Sequence, residues 1–266
     1  ISFRVFPQYI KFSDLLFLRI LIPWSLWRAD KIIAVSKFTQ DEIIRWYPRI
    51  PASKVEIGYN AMSDEFHYKK YSREALEVVR KKYGLPDKFI LYLGTMQPRK
   101  NIPCLIEAYA GIREKVPDTK LVICGNRKAH NFDLAIDKAL EKYSLSEKVI
   151  FPGYVEEKDK LAVFRLAHVF CFPSLYEGFG IPILEAMTVG IPIVASRIPS
   201  HEEIAEKSVL FFDPNSAQDL KKNLFRVCTN EVLRNNLREN GKAQARKFLW
   251  EETAKKMLEV YHNFLH

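Results

Sequence analysis

From Phe89 onward, short apolar runs alternate with segments whose apolar residues recur at helical spacing. Phe89–Leu93, Leu121–Cys124, Val149–Phe151, Ala167–Ser174, Ile193–Ala195 and Val209–Phe211 read as strands, each closed by glycine, proline or polar residues. Between them lie a helix opening at Asn101, with Ile102, Leu105, Ile106 and Tyr109 on one face, and helices over 133–143 and 156–166. A short helix is expected near Glu202. Strands alternating with helices in this way predict an α/β fold with a doubly wound parallel sheet. Such sheets bind ligands beyond the carboxyl ends of their strands, here the loops after Gly94, Gly125, Gly153 and Ser174.

Upstream the pattern is less regular. The apolar stretch 12–27 is interrupted by Asp14, Arg19 and Pro23 and is short for a bilayer span, so it predicts a buried or amphipathic helix. Lys31–Val35 and Lys54–Ile57 read as short strands, with Ser36 capping a helix through Trp46. Helix-forming charge around 73–83 stops at Gly84 and Pro86, and a domain boundary is placed near residue 60. The tail from Ala217 reads as all helix. Its last segment carries Ala254, Met257, Leu258, Tyr261 and Leu265 on one stripe, which predicts docking on another surface.

The chemistry concentrates in Glu177-Gly-Phe-Gly-Ile-Pro-Ile-Leu-Glu185, a glycine loop turning directly into a helix. Gly178 and Gly180 permit backbone conformations and ligand approach that a side chain would forbid. Pro182 suits a first helical turn, and the free amides of that turn favour an anion such as phosphate. With Glu177 in the loop and Glu185 one turn into the helix, the stretch suits a ligand carrying both phosphates and hydroxyls.

Composition narrows this further. The four cysteines, Cys104, Cys124, Cys171 and Cys228, stand singly and predict buried thiols in a reducing compartment. No Asp-x-Asp or His/Cys cluster implies a divalent metal. The net charge of +9 favours anionic partners, but the basic residues are spread without aromatic interleaving, so nucleic acid is not expected. His130 and His168 are isolated and read as a loop and a strand-edge residue.

Several motifs in order resemble retaining glycosyltransferase family 4. They are Gly94-x-x-x-Pro-Arg-Lys-Asn101, the Gly153-Tyr-Val155 turn, the run Pro173–Met187 with its Glu-x7-Glu spacing, and Trp250-Glu251. The resemblance implies the glycosyltransferase B architecture, two Rossmann-like domains with the active site between them. It assigns 1–59 to the end of an acceptor-side domain, 60–250 to the nucleotide-sugar domain, and 251–266 to a helix packing back on the first. The earlier strands, glycine-rich loop and histidine of the first domain would precede Ile1. Two positions depart from the pattern: Thr95 stands where many members carry arginine, and Glu202 where a proline precedes the glutamate matched by Glu203.

By the same resemblance the chain is a metal-independent, retaining hexosyltransferase without a cofactor, using a GDP- or UDP-linked sugar and leaning to mannose. Arg99 and Lys100 would neutralise the diphosphate, Glu177 would hold sugar hydroxyls near the anomeric carbon, and Glu185 would accept from the ribose. Gly94, Thr95 and the loop Gly178–Ile181, with the amides of Phe179, Gly180 and Ile181, would meet sugar and diphosphate, and the backbone of Tyr154 and Val155 the base. Glu177 as a covalent nucleophile and front-face attack both stay open. The acceptor would be a saccharide or lipid-linked saccharide, with a cytoplasmic protein in peripheral contact with the inner membrane face. Alternatives are a donor-binding fragment without activity of its own and a nucleotide-sugar epimerase of the same fold.

Overall fold

A computed structural model describes residues 1–62, 69–129 and 131–265, excluding the side chains of 264 and 265. His130 and the Leu265 side chain therefore lie outside the described residues. Six parallel strands form the main sheet: β3 (Phe89–Leu93), β4 (Lys120–Cys124), β5 (Val149–Gly153), β6 (Val169–Phe172), β7 (Ile193–Ser196) and β8 (Leu210–Phe212). They lie in the order β5-β4-β3-β6-β7-β8. The chain thus runs outward from β3 in one direction, returns to β6, and runs outward in the other. This is the doubly wound order, and its switch point falls between β3 and β6.

The apolar runs explain why the sheet is central. Phe89, Ile90, Leu91 and Tyr92 of β3 and all of β6 are buried on both faces, covered by the helices Ile102–Ala110, Glu157–Leu166, Ile181–Val189 and Ala217–Thr229. Burying each such side chain contributes about 1.5–3 kcal/mol. Cys124, Cys171 and Cys228 are buried free thiols within this core, while Cys104 is partly exposed.

A smaller unit is built around two parallel strands, β1 (Ile32–Ala34) and β2 (Val55–Ile57). The helix Phe12–Arg28 contains Pro23 in its interior and leaves Phe12, Phe17, Trp24 and Trp27 exposed. Ser36 caps the helix Lys37–Trp46, its hydroxyl accepting from the Thr39 amide at 2.9 Å. The final helix, Trp250–Leu265, meets this unit through Thr253 and through one member of the expected stripe, Met257. The Thr253 hydroxyl donates to the Tyr59 carbonyl at 2.7 Å and Met257 lies against Gly58, whereas Ala254, Leu258 and Tyr261 are exposed. The stripe docks only at Met257 because the contacting face is shared by a polar side chain, Thr253, that an apolar count does not register. Among the described residues no helix is long and apolar enough to cross a membrane.

Candidate functional site

Because β3 and β6 are neighbours, the loops at their carboxyl ends meet. Beyond β3, a single turn at Pro98–Lys100 presents Arg99 and Lys100; beyond β6 the chain runs through Ser174 to Gly180. The Leu175 amide donates to the Arg99 carbonyl at 2.8 Å, and Arg99 Nη1 donates to the Tyr176 carbonyl at 3.1 Å. Side chains complete the junction. Lys100 Nζ lies 2.5 Å from Glu177 Oε1, and Arg99 Nη1 lies 3.0 Å from Glu177 Oε2. Lys100 also sits over the Phe172 ring, 5.0 Å from its centroid.

The electrostatics follow from burial and partners. Burial pushes the Glu177 carboxyl up, but Lys100 and Arg99 together outweigh it and hold the group below its ordinary value, so it is ionised. Lys100 faces the opposite balance: burial lowers its pKa, Glu177 opposes that, and Arg99 adds to the lowering. Two cations against one carboxylate leave net positive charge at a strand terminus, which suits an incoming anion.

The loop continues into the helix Ile181–Val189 through Gly180, which adopts φ 123° and ψ 47°. A Cβ there would stand 2.9 Å from Ile204 Cδ1, so glycine is required on two counts. The amides of Phe179, Gly180 and Ile181 have no hydrogen-bond partner among the described residues. They form a row of free donors at a helix start. Gly178 differs from the expectation stated for both glycines: its φ is not in the left-handed region, and an added Cβ would meet Thr39 Oγ1 at 3.4 Å.

Gly94, Thr95, Tyr154 and Val155 converge, with Gly125 and Asn126, on a cavity of about 380 Å³ above β3, β4 and β5. Gly125 lets β3 and β4 close up, since a Cβ there would stand 2.3 Å from the Gly94 carbonyl oxygen. Tyr154 presents its ring to solvent. Glu185 is buried in the helix Ile181–Val189; its Oε1 pairs with Lys160 and its Oε2 has no partner among the described residues. Burial pushes this carboxyl up to about 7, against the opposing pull of Lys160. Nothing in the sequence singled out Lys160, because its partner lies in another βα unit. His168 is distant from this cluster, and burial followed by the charge of Arg234 lowers its pKa to about 4.

The helix Lys37–Trp46 and its cap reach into the same loop. The Ser36 and Thr39 hydroxyls both donate to the Gly178 carbonyl, at 2.5 and 2.8 Å. Glu203 accepts from the amides of Lys37 at 2.6 Å and Phe38 at 2.9 Å, capping the same helix from outside. Burial, then the charge of Glu203 and a hydrogen bond to it, raise the Tyr59 phenol to about 12. Phe179 packs its ring against the contacting pair Tyr59 and Phe248, with centroids 6.3 and 5.8 Å away. Among the described residues no group of His, Cys, Asp or Glu converges as a metal site.

The sequence matches the family described as Glycosyl transferases group 1 over residues 77–244. It is 31% identical to O-antigen chain mannosyltransferase B of Escherichia coli over 265 residues, covering 98% of this chain and 68% of that protein. Serotype-specific mannosyltransferase WbdA of Escherichia coli is 34% identical over 239 residues, 90% of this chain; the chain spans 29% of its length. Among solved structures, HepE of Anabaena in complex with UDP and glucose superposes with a TM-score of 0.81 at 19% identity, over 97% of this chain and 69% of that one. Sucrose-phosphate synthase of Thermosynechococcus elongatus gives 0.79 at 22% identity, over 97% and 63%. Both share the fold.

Proposed function

The chain belongs to the glycosyl transferases group 1 family, and from that premise we propose that it serves a retaining, metal-independent transfer of a hexose from a nucleotide diphosphate sugar. The observation that carries this reading is the Arg99–Glu177–Lys100 cluster beside three free amides at the switch point of the sheet. As the glycosidic bond breaks, negative charge grows on the diphosphate. Arg99, Lys100 and the amides of Phe179, Gly180 and Ile181 are preorganised to stabilise it.

In this reading Glu177 exchanges part of its pairing with the cations for hydroxyls of the transferred sugar. With each oxygen already held by a cation, Glu177 is a poor free nucleophile, which favours front-face attack with the leaving phosphate taking the acceptor's proton. The unpartnered Oε2 of Glu185 accepts from the ribose, and the cavity beside Tyr154 and Val155 takes the base. Mannose is the favoured sugar, supported by the mannosyltransferase names of the relatives, and a guanine nucleotide is taken as its carrier. The acceptor is a saccharide or lipid-linked saccharide. Residues 1–59 supply its side of the cleft, 60–250 hold the donor, and 251–266 tie the two. We place the protein in the cytoplasm, where its net charge of +9 suits peripheral contact with an anionic membrane face.

Calorimetric titration with GDP-mannose and UDP-glucose, repeated on Glu185→Ala, tests the reading. Saturable binding of one of them, weakened by the substitution, supports it and names the base. Absence of binding by both would count against it.

A further inference from the structure

The Gly178 carbonyl is held by two hydroxyls from outside the donor-binding half, Ser36 and Thr39, and Ser36 is fully buried. A trans peptide is planar, so its N–H points opposite to its C=O. Fixing the Gly178 carbonyl against the helix Lys37–Trp46 therefore turns the Phe179 amide away from that helix, and this amide is one of the three without a partner among the described residues. The Phe179 ring packs against the Tyr59 and Phe248 rings, which limits how far the loop can roll to relieve a lost carbonyl contact. Glu203 in turn fixes the helix that carries both hydroxyls, through the Lys37 and Phe38 amides.

We propose that Ser36 and Thr39 are positioning residues: by holding the Gly178 carbonyl they aim the Phe179 amide, so that residues on the acceptor side of the cleft set affinity for the sugar–diphosphate end of the donor. The inference rests on the donor-binding reading above. Neither residue lines the cavity above β3, β4 and β5, so the base end of the donor is outside their reach.

Thr39→Val removes one hydroxyl at nearly constant shape and leaves the Ser36 cap intact; Thr39→Ser restores the hydroxyl. Affinities for GDP-mannose and for GMP, which lacks the sugar and second phosphate, are measured by calorimetry on wild type and both variants. We expect Thr39→Val to weaken GDP-mannose about tenfold while GMP changes less than about twofold, with Thr39→Ser close to wild type. Equal losses for both ligands, or none for either, would overturn the positioning role. Failure of the wild type to bind either ligand would instead overturn the donor-binding reading, and this inference with it.

Discussion

Lys100 Nζ lies 2.5 Å from Glu177 Oε1, joining the loop after β3 to the loop after β6 across the switch point of the sheet. On the proposed reading, Glu177 occupies the cations that a diphosphate would use. Glu177→Gln should free Arg99 and Lys100, and GDP should then bind several-fold more tightly, while transfer falls by about a hundredfold or more because the sugar loses its carboxylate partner. Titration with GDP alongside a transfer assay checks both arms. A Glu177→Gln variant that binds GDP more weakly would show that the carboxylate organises the cations rather than competing with the ligand.

Glu185 supplies a pH dependence. Its carboxyl is raised from 4.5 to about 7 by burial, so the folded state holds a proton that the unfolded chain has released between those values. The contribution, on the order of 3 kcal/mol, is fully present below about pH 4.5 and is lost as pH rises through about 7. With Glu185 accepting from the ribose as proposed, donor binding runs the other way, since a hydroxyl donates best to the ionised group. Affinity for GDP-mannose should improve roughly five- to tenfold from pH 6 to pH 8, and Glu185→Gln should flatten that slope. An unchanged slope in the variant would assign the titration elsewhere.

The two loop glycines should respond differently to alanine. Gly180→Ala places a Cβ 2.9 Å from Ile204 Cδ1 at φ 123°, and should cost about 1–3 kcal/mol in urea denaturation besides weakening GDP-mannose. Gly178→Ala meets only Thr39 Oγ1 at 3.4 Å and Val35 Cγ2 at 3.8 Å with ordinary backbone, and should cost under about 1 kcal/mol. Equal costs would mean that the loop, not the dihedral, decides.

Much of this was legible in the sequence because it is local. Uniform apolar runs such as Phe89–Leu93 mark buried strands, Ser36 caps its helix as its position before Lys37 implies, and glycine with proline marks the start at Ile181. What stayed hidden is pairing across distant segments. Lys160 with Glu185, and Ser36 and Thr39 with Gly178, meet only once the sheet has brought separate βα units and the smaller unit together. The final helix shows the same limit, because Thr253 anchors it through a hydroxyl while Leu258 and Tyr261, apolar in sequence, face solvent.

Glu203 is the clearest case of a residue whose role depends on such a meeting. Its two oxygens accept from the first two amides of the helix Lys37–Trp46, a charged cap delivered from 165 residues away at Phe38. Carboxylates at a helix N-terminus satisfy free amides and oppose the positive end of the helix dipole. Glu203→Gln keeps one acceptor and loses the charge, so it should cost about 1 kcal/mol; Glu203→Ala loses both and should cost about 2 kcal/mol. Since the capped helix also carries Thr39, Glu203→Ala should weaken GDP-mannose as well, and combining it with Thr39→Val should give less than the sum of the two losses. Strict additivity in that double-mutant cycle would separate the cap from the loop and leave Glu203 a stabilising contact alone.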